Sequence, residues 1–392
     1  MNGRRVAVTG IGVVSPCGTG TEAFWTGLLS GQPPGERRVH DFDPSAWFDV
    51  KEARRADRFT HFAVAAAAMA LDDAGPVGAD PSRCGVLLAT GVGGLATLEE
   101  QILTCHQRSP NRVSPFLVPM MMGNAAAGNV SMRFGWLGPC ETTVTACAAS
   151  THAIANAARL VALGVCDAVL TGGSEAAMTP TGIAGFTNMT ALSRSGRSRP
   201  YDVERDGFVI AEGGAVLVLE ELGAARARGA HVYGEVLGSA STADGYHITA
   251  PRPDGAGAVR CMELALADAQ VAPDDIAQIN GHGTSTPLND AAEAQAITKV
   301  FGSPGPPVTS TKGVTGHALG AAGALEAAAV LLSMEQGVIP PTDGLVTLDP
   351  EFGIDVVHGQ PRPWQPGPSL SNSFGFGGHN GCLVLGPAPD PA

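Results

Sequence analysis

One cysteine, Cys147, sits in TVTACAAS (residues 143–150) among hydroxyls and small residues. A helical pattern runs from it to about Leu163, which puts the thiol at a helix start. There the dipole and unpaired N–H groups favour thiolate and raise nucleophilicity. Ala146, Ala148 and Ala149 leave room for a substrate. The same thiol also reads as a small buried hydrophobe, the usual fate of a free cysteine. Chemistry therefore needs partners, and two histidines offer themselves. His282, in INGHGTSTPLND, follows a strand ending near Asn280 and is flanked by glycines, the setting of an exposed functional loop. Thr284 and Thr286 alternate behind it, so an extended segment turns both hydroxyls to one side. Asp290 reads as the N-cap of the next helix. His317, in STKGVTGHALGAAGALE, heads an apolar helix, and a buried polar ring requires a partner. Lys312 and Glu326 flank it and compensate each other if buried. In NSFGFGGHN, Phe374 and Phe376 lie among glycines. They read as a gate for an apolar substrate or as a hairpin turn with core aromatics.

Strands and helices must alternate to position these groups, which is the pattern of an α/β fold. Strands are expected at Arg5–Val14, Gly85–Thr90, Ala168–Gly172, Ala215–Glu220, Val232–Leu237, Ile276–Asn280 and Val308–Ser310. Helices are expected at Thr21–Leu29 with Thr21 as cap, and at Thr60–Asp73, Ala258–Ala269 and Asp290–Val300. The tail reads as two strands around a Gly-rich turn. Two further helices, Cys147 to Leu163 and His317 to Gln336, resemble each other. Both are apolar nearly all round and rich in Ala or Gly, hence buried with close neighbours. This suggests a fold built twice, each half giving one central helix with a reactive residue at its head.

The chain has 392 residues, 44% hydrophobic and 16% charged, which suits a substantial packed core. A formal charge of −13 argues against nucleic-acid binding. No apolar run approaches a membrane span. The N-terminal VAVTGIGVVS is β-branched and glycine-interrupted, so it reads as a strand and not as a signal peptide. The eight scattered cysteines form no CxxC pair, which argues against zinc and against a disulfide framework. A cytoplasmic protein with reduced thiols is expected.

The stretches TACAAS, INGHGTSTPLND, TKGVTGHALGAAGALE and NSFGFGGHN resemble the β-ketoacyl-acyl carrier protein synthases of the thiolase-like superfamily, elongating synthase II type. VAVTGIGVVSP, RPYDVERDGFVIAEGGAVLVLEE and DGYHITAPRPDGAGA extend the likeness over almost the whole chain. The resemblance implies a thiolase-like fold with two pseudo-twofold-related halves in a five-layered αβαβα core. Residues 1–230 would carry the nucleophile and residues 231–392 the two histidines.

It also implies the reaction, a decarboxylative condensation of malonyl-carrier protein with an acyl group on Cys147, in fatty acid or type II polyketide synthesis. Cys147, His282 and His317 would form a triad, and the N–H groups of Cys147 and Phe376 an oxyanion hole. Lys312 would position His317, supported by Glu326. Thr249, Thr284 and Thr286 would contact the phosphopantetheine arm, and Phe376, backed by Phe374, would gate the acyl pocket. An acidic carrier would dock on Lys51, Arg54, Arg55 and Arg58, with Arg199 and Arg205 adding to the patch. No cofactor or metal is implied, since phosphopantetheine arrives on the carrier. The partner would be a second copy or a chain-length factor. A non-catalytic partner subunit is the alternative, against which Cys147 speaks. The chain departs from the family pattern in its shorter loops before KEARRADR and around SRSGRSRP, in Gly281 where Ala is more usual, and in His379.

Overall fold

The computed structural model describes residues 3–31 and 35–389. Ten strands follow one path through a single sheet. They are β1 (Val6–Ser15), β2 (Cys84–Ala89), β3 (Cys140–Thr143), β4 (Ala168–Glu175), β5 (Gly213–Glu221), β6 (Gly234–Ala243), β7 (Gln278–Asn280), β8 (Val308–Thr309), β9 (Ser369–Gly375) and β10 (His379–Pro387). Their order is β3-β2-β4-β5-β1-β6-β10-β9-β7-β8. The order reads the same from both ends: β1 to β5 match β6, β7, β8, β9 and β10. Directions repeat as well. β2 is parallel to β3 and β4, and β7 to β8 and β9, while β5 and β10 run antiparallel to their neighbours. The halves join where Ala7 pairs with Glu235 and Val8 with Gly234. This is the fold built twice.

Helices fill the other layers. Outside the first half lie α1 (Arg58–Ala74) and α2 (Ala125–Phe134). Between the halves lie α3 (Ala149–Ala162) and α6 (Ala322–Gln336). Outside the second half lie α4 (Ala256–Ala269) and α5 (Pro287–Phe301). The result is the five-layered thiolase-like arrangement. β1 is buried along its whole length, as a central strand covered on both faces must be. The alanines of α1 bring its backbone so close to β1 that a Cβ at Gly12 would sit 1.9 Å from the Ala66 carbonyl oxygen. α3 and α6 approach as tightly, since a Cβ at Gly323 would sit 2.1 Å from Thr151 Oγ1.

The expected elements form, with three local differences. The Thr21–Ser30 helix is capped by Gly20, and Thr21 is already helical. Neither central helix begins at its reactive residue. Cys147 lies in a 3-10 turn, Ala146–Ala148, ahead of α3, and His317 precedes a second such turn, Leu319–Ala321, ahead of α6. Asp290 lies inside α5, which Thr286 caps. The helices Leu95–Gln107, Ala125–Phe134 and Pro180–Asn188 carried no sequence signal strong enough to be placed.

Candidate active site

The nucleophile turn is tight. Ala146 has φ 49°, a conformation non-glycine residues adopt at a cost, and it bends the chain from β3 so that Cys147 faces a cavity. Gly375 lies over this turn, where a Cβ would come 3.1 Å from the Cys147 nitrogen. The Phe376 N–H reaches the thiol. Burial pushes the Cys147 pKa up to about 11, against the pull of the Lys312 charge and the Phe376 N–H. The helix start therefore does not make a resting thiolate, and a nucleophilic role would need a base to take the proton.

An imidazole stands where such a base would. His317 Nε2 lies 3.0 Å from Cys147 Sγ. The His317 backbone is pinned to the first half, its N–H donating to Val209 (2.8 Å) and its carbonyl accepting from Ala211 (3.0 Å). Burial holds the ring's pKa well below its ordinary value, with the Lys312 charge adding to the effect, so the ring is neutral. Its Nδ1 has no protein partner among the described residues.

His282 completes the group: one ligand atom each from Cys147, His282 and His317 all lie within 4.8 Å of one another. The expectation of an exposed loop histidine fails, because His282 is 2% exposed. Its pKa is likewise well below the ordinary value, through burial first and then the charge of Lys312. Lys312 holds His282, not His317. Its Nζ donates to the His282 carbonyl (2.6 Å), approaches Nδ1 at 3.3 Å, and pairs with Glu326. The reason is local: Lys312 opens a one-turn helix, Lys312–Thr315, and faces the β7 loop, while Gly316 turns the chain away before His317. An ammonium only donates, so Nδ1 of His282 accepts and Nε2 carries the hydrogen. Lys312 and Glu326 are both buried and the pair compensates two charges.

Three buried acids support the site, and of these only Asp290 is marked in the sequence. Glu293 accepts from the N–H groups of His282 and Gly283, both at 2.7 Å, and from Tyr201 Oη at 3.0 Å. Tyr201 explains Gly281: a Cβ there would lie 2.0 Å from the tyrosine oxygen. Glu175 accepts from the N–H groups of Gly91 (2.6 Å) and Gly320 (3.0 Å) and from Thr90 Oγ1 (3.0 Å), and burial lifts its pKa to about 7. Asp290, expected as a cap, accepts instead from Thr284, Ser285 and Tyr201. Each is a buried acid that gathers several donors: Glu293 and Asp290 draw on the loop 5–11 residues before them and on Tyr201, while the donors to Glu175 lie 84–145 residues away.

The triad opens into a cavity of about 410 Å³. Phe186, Ala191, Phe208 and Leu319 cluster with Cys147 as an apolar arm. Thr249, Thr284 and Thr286 also line the cavity, with Thr249 and Thr286 partly exposed. The Thr284 and Thr286 hydroxyls lie 2.9 Å apart, on one side as expected, although Ser285 between them has φ 68° and the segment is not extended. Phe374 and Phe376 line the junction, with the Phe374 ring 5.9 Å from that of His282.

The basic patch is smaller than expected. Lys51, Arg54 and Arg55 are exposed, with Arg55 lying over the Phe116 ring. Arg58 is spent on Glu212 (2.8 Å) and the Val39 carbonyl (2.7 Å). Arg205 is 9% exposed and paired with Asp349, and Arg199 is paired with Glu204. In these three an adjacent acid neutralises the charge before a partner could use it.

Among the described residues no helix is long and apolar enough to cross a membrane. The model of the β-ketoacyl synthase N-terminal domain matches residues 34–225 and that of the C-terminal domain residues 233–345. A 3-oxoacyl-[acyl-carrier-protein] synthase 2 from Synechocystis sp. is 45% identical, covering 97% of this chain and 98% of its own. Among solved structures, the ishigamide ketosynthase/chain length factor superposes with TM-score 0.93 at 34% identity, covering 99% and 100% of the two chains. A type II ketosynthase bound to its acyl-carrier protein and a hexaketide superposes with TM-score 0.90 at 33% identity, with the same coverage.

Proposed function

Because this chain belongs to the β-ketoacyl synthase family, we propose that it condenses malonyl-carrier protein with an acyl group held on Cys147, releasing CO₂. The observation that carries the reading is the 3.0 Å approach of His317 Nε2 to the Cys147 thiol beside a second neutral imidazole. In the first half-reaction His317 takes the thiol proton. The sulfur attacks the carrier thioester carbonyl, and His317 returns the proton to the arm's sulfur as it leaves. The Cys147 and Phe376 N–H groups stabilise the oxyanion. Malonyl-carrier then enters along Thr249, Thr284 and Thr286. Loss of CO₂ leaves an enolate whose oxygen faces the Nε2 hydrogen of His282, beside the His317 ring. The carbanion attacks the acyl carbonyl, the new C–C bond forms, and the Cys147 thiolate is released. Lys312 and Glu326 hold His282 in its donor form. The scheme draws on no bound cofactor, and the cytoplasm, where all eight cysteines stay free, suits it.

Lys51, Arg54 and Arg55 are the cations left for an acidic carrier. A second subunit would pair at β3, an edge strand with exposed Val144 and Leu137 beside it. We take that subunit to be a second copy. A chain-length factor is the second reading, favoured by the likeness to the ishigamide ketosynthase/chain length factor. The test is to incubate the protein alone with acyl- and malonyl-carrier and follow Cys147 by intact mass. An acyl adduct and a ketoacyl product support the reading. Elongation by Cys147→Ala at the wild-type rate would sink it, and activity only after adding a second synthase-like subunit would select the heterodimer.

A further inference from the structure

His152 lies on α3, five residues past the nucleophile, and the scheme above does not use it. It is 7% exposed. Its Nε2 is 3.1 Å from the Asn380 carbonyl oxygen and its Nδ1 is 2.8 Å from Thr145 Oγ1. A carbonyl oxygen only accepts, so Nε2 carries the hydrogen. In a neutral ring Nδ1 is then bare and accepts from the Thr145 hydroxyl. Burial keeps the ring's pKa below its ordinary value, which preserves this arrangement. The ring is pressed against β10, since a Cβ at Gly381 would lie 2.9 Å from Nε2.

The two anchored residues are informative. Thr145 caps the turn that carries Cys147. Asn380 follows Phe376 by four residues, just past the glycine turn that presents the Phe376 N–H. These segments come from opposite halves of the chain, and each supplies one donor of the oxyanion hole. We propose that His152 is a positioning residue that fixes the separation of the Cys147 and Phe376 N–H donors, and so governs the steps that build an oxyanion on the acyl carbonyl. This rests on the acyl-transfer reading above. Malonyl decarboxylation builds its charge beside His282 and His317 instead, and neither ring touches His152.

Removing the clamp therefore separates the half-reactions. His152→Phe keeps the volume and loses both bonds. Thr145→Val is nearly isosteric and loses only the bond to the turn. Acylation of Cys147 is timed by intact mass, and CO₂ release from malonyl-carrier is followed without an acyl primer. We expect acylation to fall about 10–100-fold in His152→Phe, as for a misplacement of about 1 Å. It falls less in Thr145→Val, while unprimed decarboxylation stays within about threefold of wild type. His152→Gln, able to donate to Asn380 again, recovers part of the loss. Equal losses in both half-reactions, or no loss in acylation, would overturn the proposal. A wild-type protein that never acylates Cys147 would instead remove the reading beneath it.

Discussion

The two halves carry the same strands in the same order, yet they furnish the site differently. After β2 the chain runs Thr90-Gly91-Val92, and Glu175 gathers the backbone there into a wall of the apolar arm. After β7, the matching strand, it runs Gly281-His282-Gly283, and Glu293 gathers the backbone there beneath an imidazole. Both loops hang from a buried carboxylate. One presents backbone to the cavity and the other presents an imidazole beside the Cys147 thiol. A duplicated frame can thus keep its backbone supports and change only what the loop presents.

The sharpest break of this comparison is chemical. Cys147→Ala, which leaves both loops intact, should lower condensation by at least about 10⁴-fold, as removing a triad nucleophile does. Turnover measured by product mass checks it. Next, the second half should hold the enolate chemistry. His282→Ala should cut malonyl decarboxylation by about 10²–10³-fold, the scale of one lost oxyanion donor, while Cys147 acylation changes far less. Comparable losses in both would erase the division of labour between the loops.

The supports come next. Gly281→Ala puts a methyl 2.0 Å from Tyr201 Oη, and should destabilise the fold by about 1–3 kcal/mol. Adding Tyr201→Phe removes that oxygen and should recover part of the loss in chemical denaturation. A double variant no better than the single would mean the clash lies elsewhere. The smallest effect concerns pH. Glu175 is lifted from an ordinary 4.5 to about 7 by burial. The folded chain therefore binds more protons than the unfolded one between those values, and the contribution of Glu175 to stability falls as pH rises through that window. Glu175→Gln should make the decline shallower, and an unchanged slope would absolve Glu175.

How much of this the sequence showed depends on where the partner of each group lies. Cys147, His282 and His317 were legible because each sits in a glycine- or alanine-rich stretch next to a strand or helix. The doubled frame was legible in two similar apolar helices. Lys312 was assigned to the histidine nearer in sequence, and the chain's turn at Gly316 gave it to the other. Tyr201 and His152 escape a sequence reading because Tyr201 meets Glu293 across 92 residues and His152 meets Asn380 across 228. Arg58, Arg199 and Arg205 looked like a docking patch because a run of cations does not reveal which acids fold onto it.

The thiol and its base stand 170 residues apart in the chain and on opposite halves of the frame. An unfolded or half-made molecule therefore carries a thiol with no base beside it. The thiol meets its imidazole only when the halves dock, so under the proposed reaction acyl transfer to Cys147 would serve as a sensitive indicator that folding is complete.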